Sequence, residues 1–298
     1  MPILFTTINA PAAADTDAYG INNAGQIVGS YNTGDGPQGF LLSGGSYTTL
    51  NDPSIVTPPI GSGHYTVATR INGSGQIVGY YNVGFTHGFI YNSPTYTTFD
   101  SPNASGAGGG TFPQGINDAG QIVGYAYQMV PAPHPFIAVS SFLDSGGTFT
   151  PISDPQAVGG DQFTGPRGTF AEGINNAGQV VGYYNASGGS VHGFLLSGGV
   201  YTTLDDPLGA GGTYATGINN AGQIVGYFID VNGGIHGFVD SGGAYTTVDD
   251  PSAVGGTRVF GINDMGQIVG DYVDASGDHH GFVGLLPPRR RLPAPRPT

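Results

Sequence analysis

Six repeats of four short strands closed into a ring, an all-β six-bladed β-propeller, is the fold class this sequence predicts, on three observations. The phrase Ile21-Asn22-Asn23-Ala24-Gly25-Gln26-Ile27-Val28-Gly29 recurs from Ile71, Ile116, Ile174, Ile218 and Ile262, at steps of 50, 45, 58, 44 and 44 residues. A period in that range marks stacked or radially arranged supersecondary units. Each repeat breaks into β-prone pieces bounded by turn residues, and no stretch has the 3.6-residue apolar period of a helix. The chain ends also complete one another. The sixth repeat stops after His280-Gly281-Phe282-Val283, and Leu4-Phe5-Thr6-Thr7-Ile8-Asn9-Ala10-Pro11 supplies the missing piece, matching Val200–Pro207.

The elements follow in a fixed order, clearest in the fourth repeat. Thr169-Phe170-Ala171-Glu172-Gly173-Ile174-Asn175 is the first strand. Asn-Asn/Asp-Ala-Gly follows it, where a type I turn and a left-handed glycine make a tight hairpin. Gln179–Tyr184 is the second strand, His192-Gly193-Phe194-Leu195-Leu196 the third and, after Ser-Gly-Gly, Tyr201-Thr202-Thr203-Leu204 the fourth. A ring clasped by its own N-terminal strand hides an edge that would otherwise template aggregation. The propeller is expected over 1–286, with blade motifs starting near 16, 66, 111, 169, 213 and 257. Residues 287–298 form a Pro/Arg-rich tail of disordered composition.

Composition narrows the function. There is no lysine, one glutamate (Glu172), and four of the seven arginines lie in the tail. The body therefore sets Arg70, Arg167 and Arg258 against 20 acids. Such a surface repels phosphate backbones and anionic membranes, so nucleic-acid binding is not expected. No apolar run is long enough to span a bilayer. Absence of cysteine excludes disulfides and thiolate chemistry. High Gly, Thr, Asn and Tyr with no lysine match a secreted bacterial protein, although Met1-Pro2-Ile3-Leu4 opens in a strand with no leader before it.

The run G-I-N-N/D-x-G-Q-I/V-V-G-Y, then H-G-F, then Y-T-T-L/V-D-D-P resembles the HAF-type extracellular repeat of bacterial proteins, six times in register across residues 1–286. The resemblance implies a propeller-like extracellular protein and brings no catalytic residue with it. Two departures stand out: Arg70 replaces the glycine before Ile71, and His134-Pro135-Phe136 replaces His-Gly-Phe.

Length variation points to a functional face. From the motif Ile to the following Gly the spacing is 8 in all copies, whereas crossings from Pro to Ile run 10, 18, 14, 19, 11 and 11. From the Phe of His-Gly-Phe to the aromatic of Tyr-Thr-Thr the spacing is 7 in four of five repeats and 13 in the third, Phe136 to Phe149. Second-to-third loops and crossings share one face of the disc, here the variable face, and irregular loops on a rigid scaffold carry function. The crossings Pro53–Arg70 and Pro155–Gly173 are expected to overhang the mouth.

On the first strands, Thr is fixed at the start and Ile-Asn at the end, while two alternate positions vary. One set is Asp17, Val67, Phe112, Phe170, Tyr214 and Arg258; the other is Tyr19, Thr69, Gln114, Glu172, Thr216 and Phe260. Alternate residues share a side of a strand. The expected ligand-binding set at the central mouth is therefore Asp17, Tyr19, Arg70, Phe112, Gln114, Phe170, Glu172, Tyr214, Arg258 and Phe260. Aromatics would stack and the polar groups would hydrogen-bond a small polar molecule or glycan. The plainer reading pairs Arg258 with Asp17 and Glu172 with Arg167. If the chain is an enzyme, a hydrolase or lyase on a secreted polymer, Glu172 or His64 transfers the proton and Arg258 or Arg70 stabilises the anion.

The histidines of His-Gly-Phe suit either repeated ligand sites or bonds to the Asp-Asp-Pro turn, and Gln38 in their place favours the second. No metal or cofactor is expected. Asp230, Asp274 and Asp278 lie in loops that resemble calcium loops without their spacing, and calcium is the one ion left open. A monomer is expected.

Overall fold

The structure is a computed structural model that describes residues 3–34, 36–51, 63–131, 135–160 and 165–287. The Arg-rich run of the tail, His134 and parts of both long crossings, with the overhang expected of them, lie outside the described residues. The all-β expectation holds. Among the described residues there are 24 strands and one short 3-10 turn, and no helix is long and apolar enough to cross a membrane.

The N-terminal strand is β1 (Leu4–Ile8). Unit 1 holds β2 (Asp15–Ile21), β3 (Ile27–Asn32), β4 (Pro37–Ser43) and β5 (Ser46–Leu50). Unit 2 holds β6 (Tyr65–Ile71), β7 (Ile77–Asn82), β8 (Thr86–Asn92) and β9 (Thr95–Phe99). Unit 3 holds β10 (Gly110–Ile116), β11 (Ile122–Val130), β12 (Phe136–Ser145) and β13 (Thr148–Ile152). Unit 4 holds β14 (Thr169–Ile174), β15 (Val180–Asn185), β16 (Val191–Ser197) and β17 (Val200–Leu204). Unit 5 holds β18 (Gly212–Ile218), β19 (Ile224–Ile229), β20 (Ile235–Asp240) and β21 (Tyr245–Val248). Unit 6 holds β22 (Gly256–Ile262), β23 (Gln267–Val273) and β24 (His279–Leu285). Its fourth strand is β1, antiparallel to β24 with Thr6 opposite Val283. Units 2 and 3 count as one eight-stranded sheet because a single parallel bridge, Gly110 to Thr86, joins them.

The motif is a self-contained set of hydrogen bonds. Asn22 Oδ1 accepts from the backbone N–H of Ala24 and Gln26, while its Nδ2 donates to Gln26 Oε1 at 2.8 Å. Gly25 takes φ +73°, the left-handed conformation the hairpin requires. The same Nδ2 also reaches the Asn72 carbonyl of the next unit. Asn72 reaches Asn117, Asn117 reaches Asn175, Asn175 reaches Asn219, Asn219 reaches Asn263, and Asn263 returns to Asn22. One side chain thus closes a turn and links two units, which accounts for an asparagine that never varies.

The core lies between neighbouring units. Phe40, Phe89, Phe194, Phe238 and Phe282 are fully buried, each in contact with residues of an adjoining sheet. Burying each stabilises the fold by roughly 2 kcal/mol. The third unit corrects the sequence alignment. Gly124 faces Phe142, as Gly29 faces Phe40 and Gly182 faces Phe194. Ser140, not His134, therefore holds the histidine's place. Core packing sets the register, so the extra residues lengthen the hairpin of β11 and β12 on the variable face.

Candidate functional site

From the constant face inward the axis is narrow. Below the asparagine circuit, a cavity of about 70 Å³ is lined by Ile21, Ile71, Ile116, Ile174, Ile218 and Ile262 with glycines and Arg70. The first strands approach so closely here that a Cβ on Gly20 would lie 3.0 Å from Arg70 Cα, and one on Gly173 3.1 Å from Gly217 Cα. Five units keep glycine for this reason, and unit 2 spends the position on a plug, Arg70. The Arg70 guanidinium donates to the carbonyls of Tyr19, Thr69, Thr216 and Phe260. Burial lowers its pKa to about 10 while Glu172 pulls the other way. Arg70 thus spends these donors on backbone and plugs the axis between the first strands, instead of offering a free ligand donor.

Every first strand is broken by a register shift at the same residue. In β2 the ladder passes from Ala18 to Gly20, and the corresponding shifts skip Thr69, Gln114, Glu172, Thr216 and Phe260. A bulge re-aims the side chain it displaces. Thr69 and Thr216 turn into the wall: Thr69 Oγ1 meets the Val78 and Pro113 carbonyls at 3.1 and 2.8 Å, and Thr216 does the same with Val225 and Val259. Tyr19 and Phe260 pack on each other, centroids 5.2 Å apart. Gln114 and Glu172 stay half-buried.

From unit 2 to unit 5 the mouth is aromatic. Phe112 stacks on its ladder partner Tyr125, Phe170 on Tyr183 at 4.7 Å, and Tyr214 on Tyr227 at 4.6 Å. Between units the tyrosine meets the next ring edge-on: Tyr80 with Phe112, Tyr125 with Phe170, Tyr183 with Tyr214. The second-strand tyrosines were missed from sequence because they sit inside the repeat phrase. Their signal is their position, directly across the ladder from the variable first-strand residue.

Glu172 belongs to this arc. Burial raises its pKa from 4.5 to about 8, against the pull of Arg70. Its charge in turn raises Tyr125, Tyr127, Tyr183, Tyr80 and Tyr227, each already raised by burial. Among the described residues nothing ion-pairs or hydrogen-bonds with its carboxyl, Arg167 included. At neutral pH it is largely a protonated carboxyl amid tyrosine rings. His64 does not join it: its carbonyl lies near Gly36, and among the described residues its buried Nδ1 has no partner.

Units 6 and 1 close the mouth with charge. Arg258 Nη1 pairs with its ladder partner Asp271 at 3.3 Å, not with Asp17, and its guanidinium lies 5.9 Å from the centre of the Tyr227 ring. Asp17 accepts from Tyr19 Oη at 3.2 Å. His279 Nδ1 lies 3.6 Å from Asp17 and 2.6 Å from Asp271, and these two carboxylates raise its pKa from 6.5 to about 10.

The outer histidines are clasps. His87, His192 and His236 bond Asp100, Asp205 and Asp249 at 2.8 to 3.0 Å, His280 bonds Asn9, and Gln38 takes Asn51 in the same way. The residue at the end of each described turn gives its backbone N–H to the fixed threonine: Asp154, Asp206 and Asp250 to Thr169, Thr213 and Thr257 Oγ1, and Ala10 and Ser101 to Thr16 and Thr111 Oγ1. Asp230 and Asp274 cap their own loops through Asn232, Gly234, Ser276 and Asp278 N–H groups.

No protein-family model and no curated protein matches this sequence. Solved structures do. A crystal structure of the lectin of Aleuria aurantia, titled as a six-bladed β-propeller with a novel mode of fucose recognition, matches with TM-score 0.52 at 12% identity, covering 95% of this chain and 91% of that one. A triple-arginine mutant of AofleA from Arthrobotrys oligospora matches at 0.51 and 11%, covering 95% and 87%. A putative TolB from Agrobacterium tumefaciens matches at 0.51 and 14%, covering 96% and 92%. At such identities the likeness concerns fold: this chain has the all-β architecture of β-propellers.

Proposed function

We propose that the chain is a six-bladed β-propeller, closed by its N-terminal strand, that binds a small polar or carbohydrate ligand at the variable-face mouth. The observation that carries the reading is the unpaired carboxyl of Glu172 set among tyrosines. Rings offer apolar faces to a sugar's C–H surface, while hydroxyls and a protonated carboxyl offer hydrogen bonds, the mixture found in small-molecule sites. The fucose lectin among the structural neighbours supports a glycan as the ligand class. The HAF-like repeat and the lysine-free acidic composition support a secreted, monomeric bacterial protein with no nucleic-acid partner.

A glycan array that includes uronates tests it. The wild type is expected to bind a restricted set, and Glu172→Gln and Tyr183→Ala to weaken binding about 10-fold or more. No binding at millimolar ligand, or variants equal to wild type, rejects the reading.

One observation favours a second reading, a hydrolase or lyase at the same mouth. A carboxyl with pKa near 8 is suited to proton transfer near neutral pH, and Arg258, beside the Tyr227 ring, would be the anion stabiliser. Turnover of a polysaccharide abolished in Glu172→Gln at unchanged melting temperature would establish this reading over the first.

A further inference from the structure

We propose that Asp17, Asp271 and His279 bind one divalent transition cation of the zinc type, at the junction of units 6 and 1. The residues come from three strands, β2, β23 and β24, and each breaks the repeat. Where unit 1 has Asp17, units 2 to 5 carry Val67, Phe112, Phe170 and Tyr214. Where unit 6 has Asp271, the others carry Ser30 and four tyrosines. Where it has His279, the ladder places Pro37, Thr86, Val139, Val191 and Ile235. Three independent departures thus converge so that one donor atom from each lies within 4.8 Å of the others.

A second observation separates this cluster from an ion-pair network. Asp271 is 1% exposed, and among the described residues its Oδ1 has no hydrogen-bond partner, while Arg258 and His279 both address Oδ2. Desolvating a carboxylate oxygen without a partner is costly, and a network built only to balance charge would use both oxygens. A cation supplies what Oδ1 lacks. One imidazole nitrogen and two carboxylate oxygens suit zinc, whereas calcium and magnesium prefer oxygen alone. On binding, His279 Nδ1 releases its proton to solvent and takes the metal. Its 2.6 Å contact with Asp271 then opens to roughly 3.3 Å, the ligand spacing of a tetrahedral site. The next position would be open, toward the cavity of about 230 Å³ lined by Asp15, Ser30, Tyr31 and Asn32. The site does not depend on the glycan reading.

Isothermal titration of the EDTA-treated, dialysed full chain with zinc chloride tests it, alongside thermal melting in zinc or calcium. One zinc per chain is expected, with a raised melting temperature, little effect of calcium, and affinity at least about 100-fold weaker in His279→Gln and Asp17→Asn. These two half-buried positions are chosen because Asp271 variants carry a folding cost, and His192→Gln is expected to bind as wild type does. No heat and no melting shift at about 1 mM zinc overturns the site. So does equal affinity in His279→Gln and wild type, or a loss confined to His192→Gln, which places zinc on the outer clasps.

Discussion

Between Tyr80 and Tyr227 the mouth is walled by rings that touch one another, whereas from Arg258 to Ser30 the same backbone positions carry charge and hydroxyl. In both regions the unit is a cross-strand pair: Phe170 with Tyr183 on one side, Arg258 with Asp271 on the other. The contrast teaches that the scaffold fixes where a pair sits and leaves its chemistry open, provided both members change together. The aromatic arc holds itself by area and accepts many neighbours. The ionic arc depends on named partners, so a single substitution there strands a charge.

The largest effect should come from breaking the aromatic side. Phe170, 4% exposed and touching Tyr125 and Tyr183, is expected to lose about 4 kcal/mol as Phe170→Ala, read by urea denaturation. A loss under about 1 kcal/mol would show that the arc is not packed as described. On the ionic side, Asp271→Ala leaves Arg258 and His279 without their shared carboxylate, and about 3 kcal/mol should be lost. Adding Arg258→Leu should recover part of it, because the stranded cation goes too. No recovery would mean that the pair is not coupled.

Beneath both arcs, Arg70→Leu should cost about 2 kcal/mol by leaving four carbonyls without their donor. Arg70→Gly, which restores the repeat residue and admits water, should cost less. Equal costs would argue against the plug.

The smallest effect is a pH dependence. Glu172 binds its proton more tightly folded than unfolded, so its contribution to stability is full below about pH 4.5 and is lost as pH rises through about 8. Melting temperatures of Glu172→Gln should therefore fall less than wild type between pH 5 and 9, all other groups being shared. Parallel profiles would place Glu172 in water.

Much of the architecture was legible because each repeat is chemically complete in itself. Asn22, Gly25 and Gln26 close their hairpin with bonds inside five residues, so the phrase alone announces the turn. The match between Leu4–Pro11 and Val200–Pro207 announced that β1 completes unit 6. The choice between ligand sites and clasps for the histidines was also legible, in Gln38.

Other features lay beyond the sequence. The bulges that turn Thr69 into the wall arise from how tightly six strands crowd an axis, and no local propensity records that crowding. As first-strand residues of adjoining units Arg258 and Asp17 read as a pair in sequence, yet the ladder hands Arg258 to Asp271 on the neighbouring strand. The motif points to His134, while Phe142, opposite Gly124 in the ladder, decides the register. Repetition wrote the strands and turns into the chain, since those bonds are short in sequence, and the matching ends wrote in the pairing of β1 with β24. The meeting of Glu172 with the tyrosines, of Arg70 with the carbonyls and of His279 with two aspartates was decided only in three dimensions, where units remote along the chain share one axis.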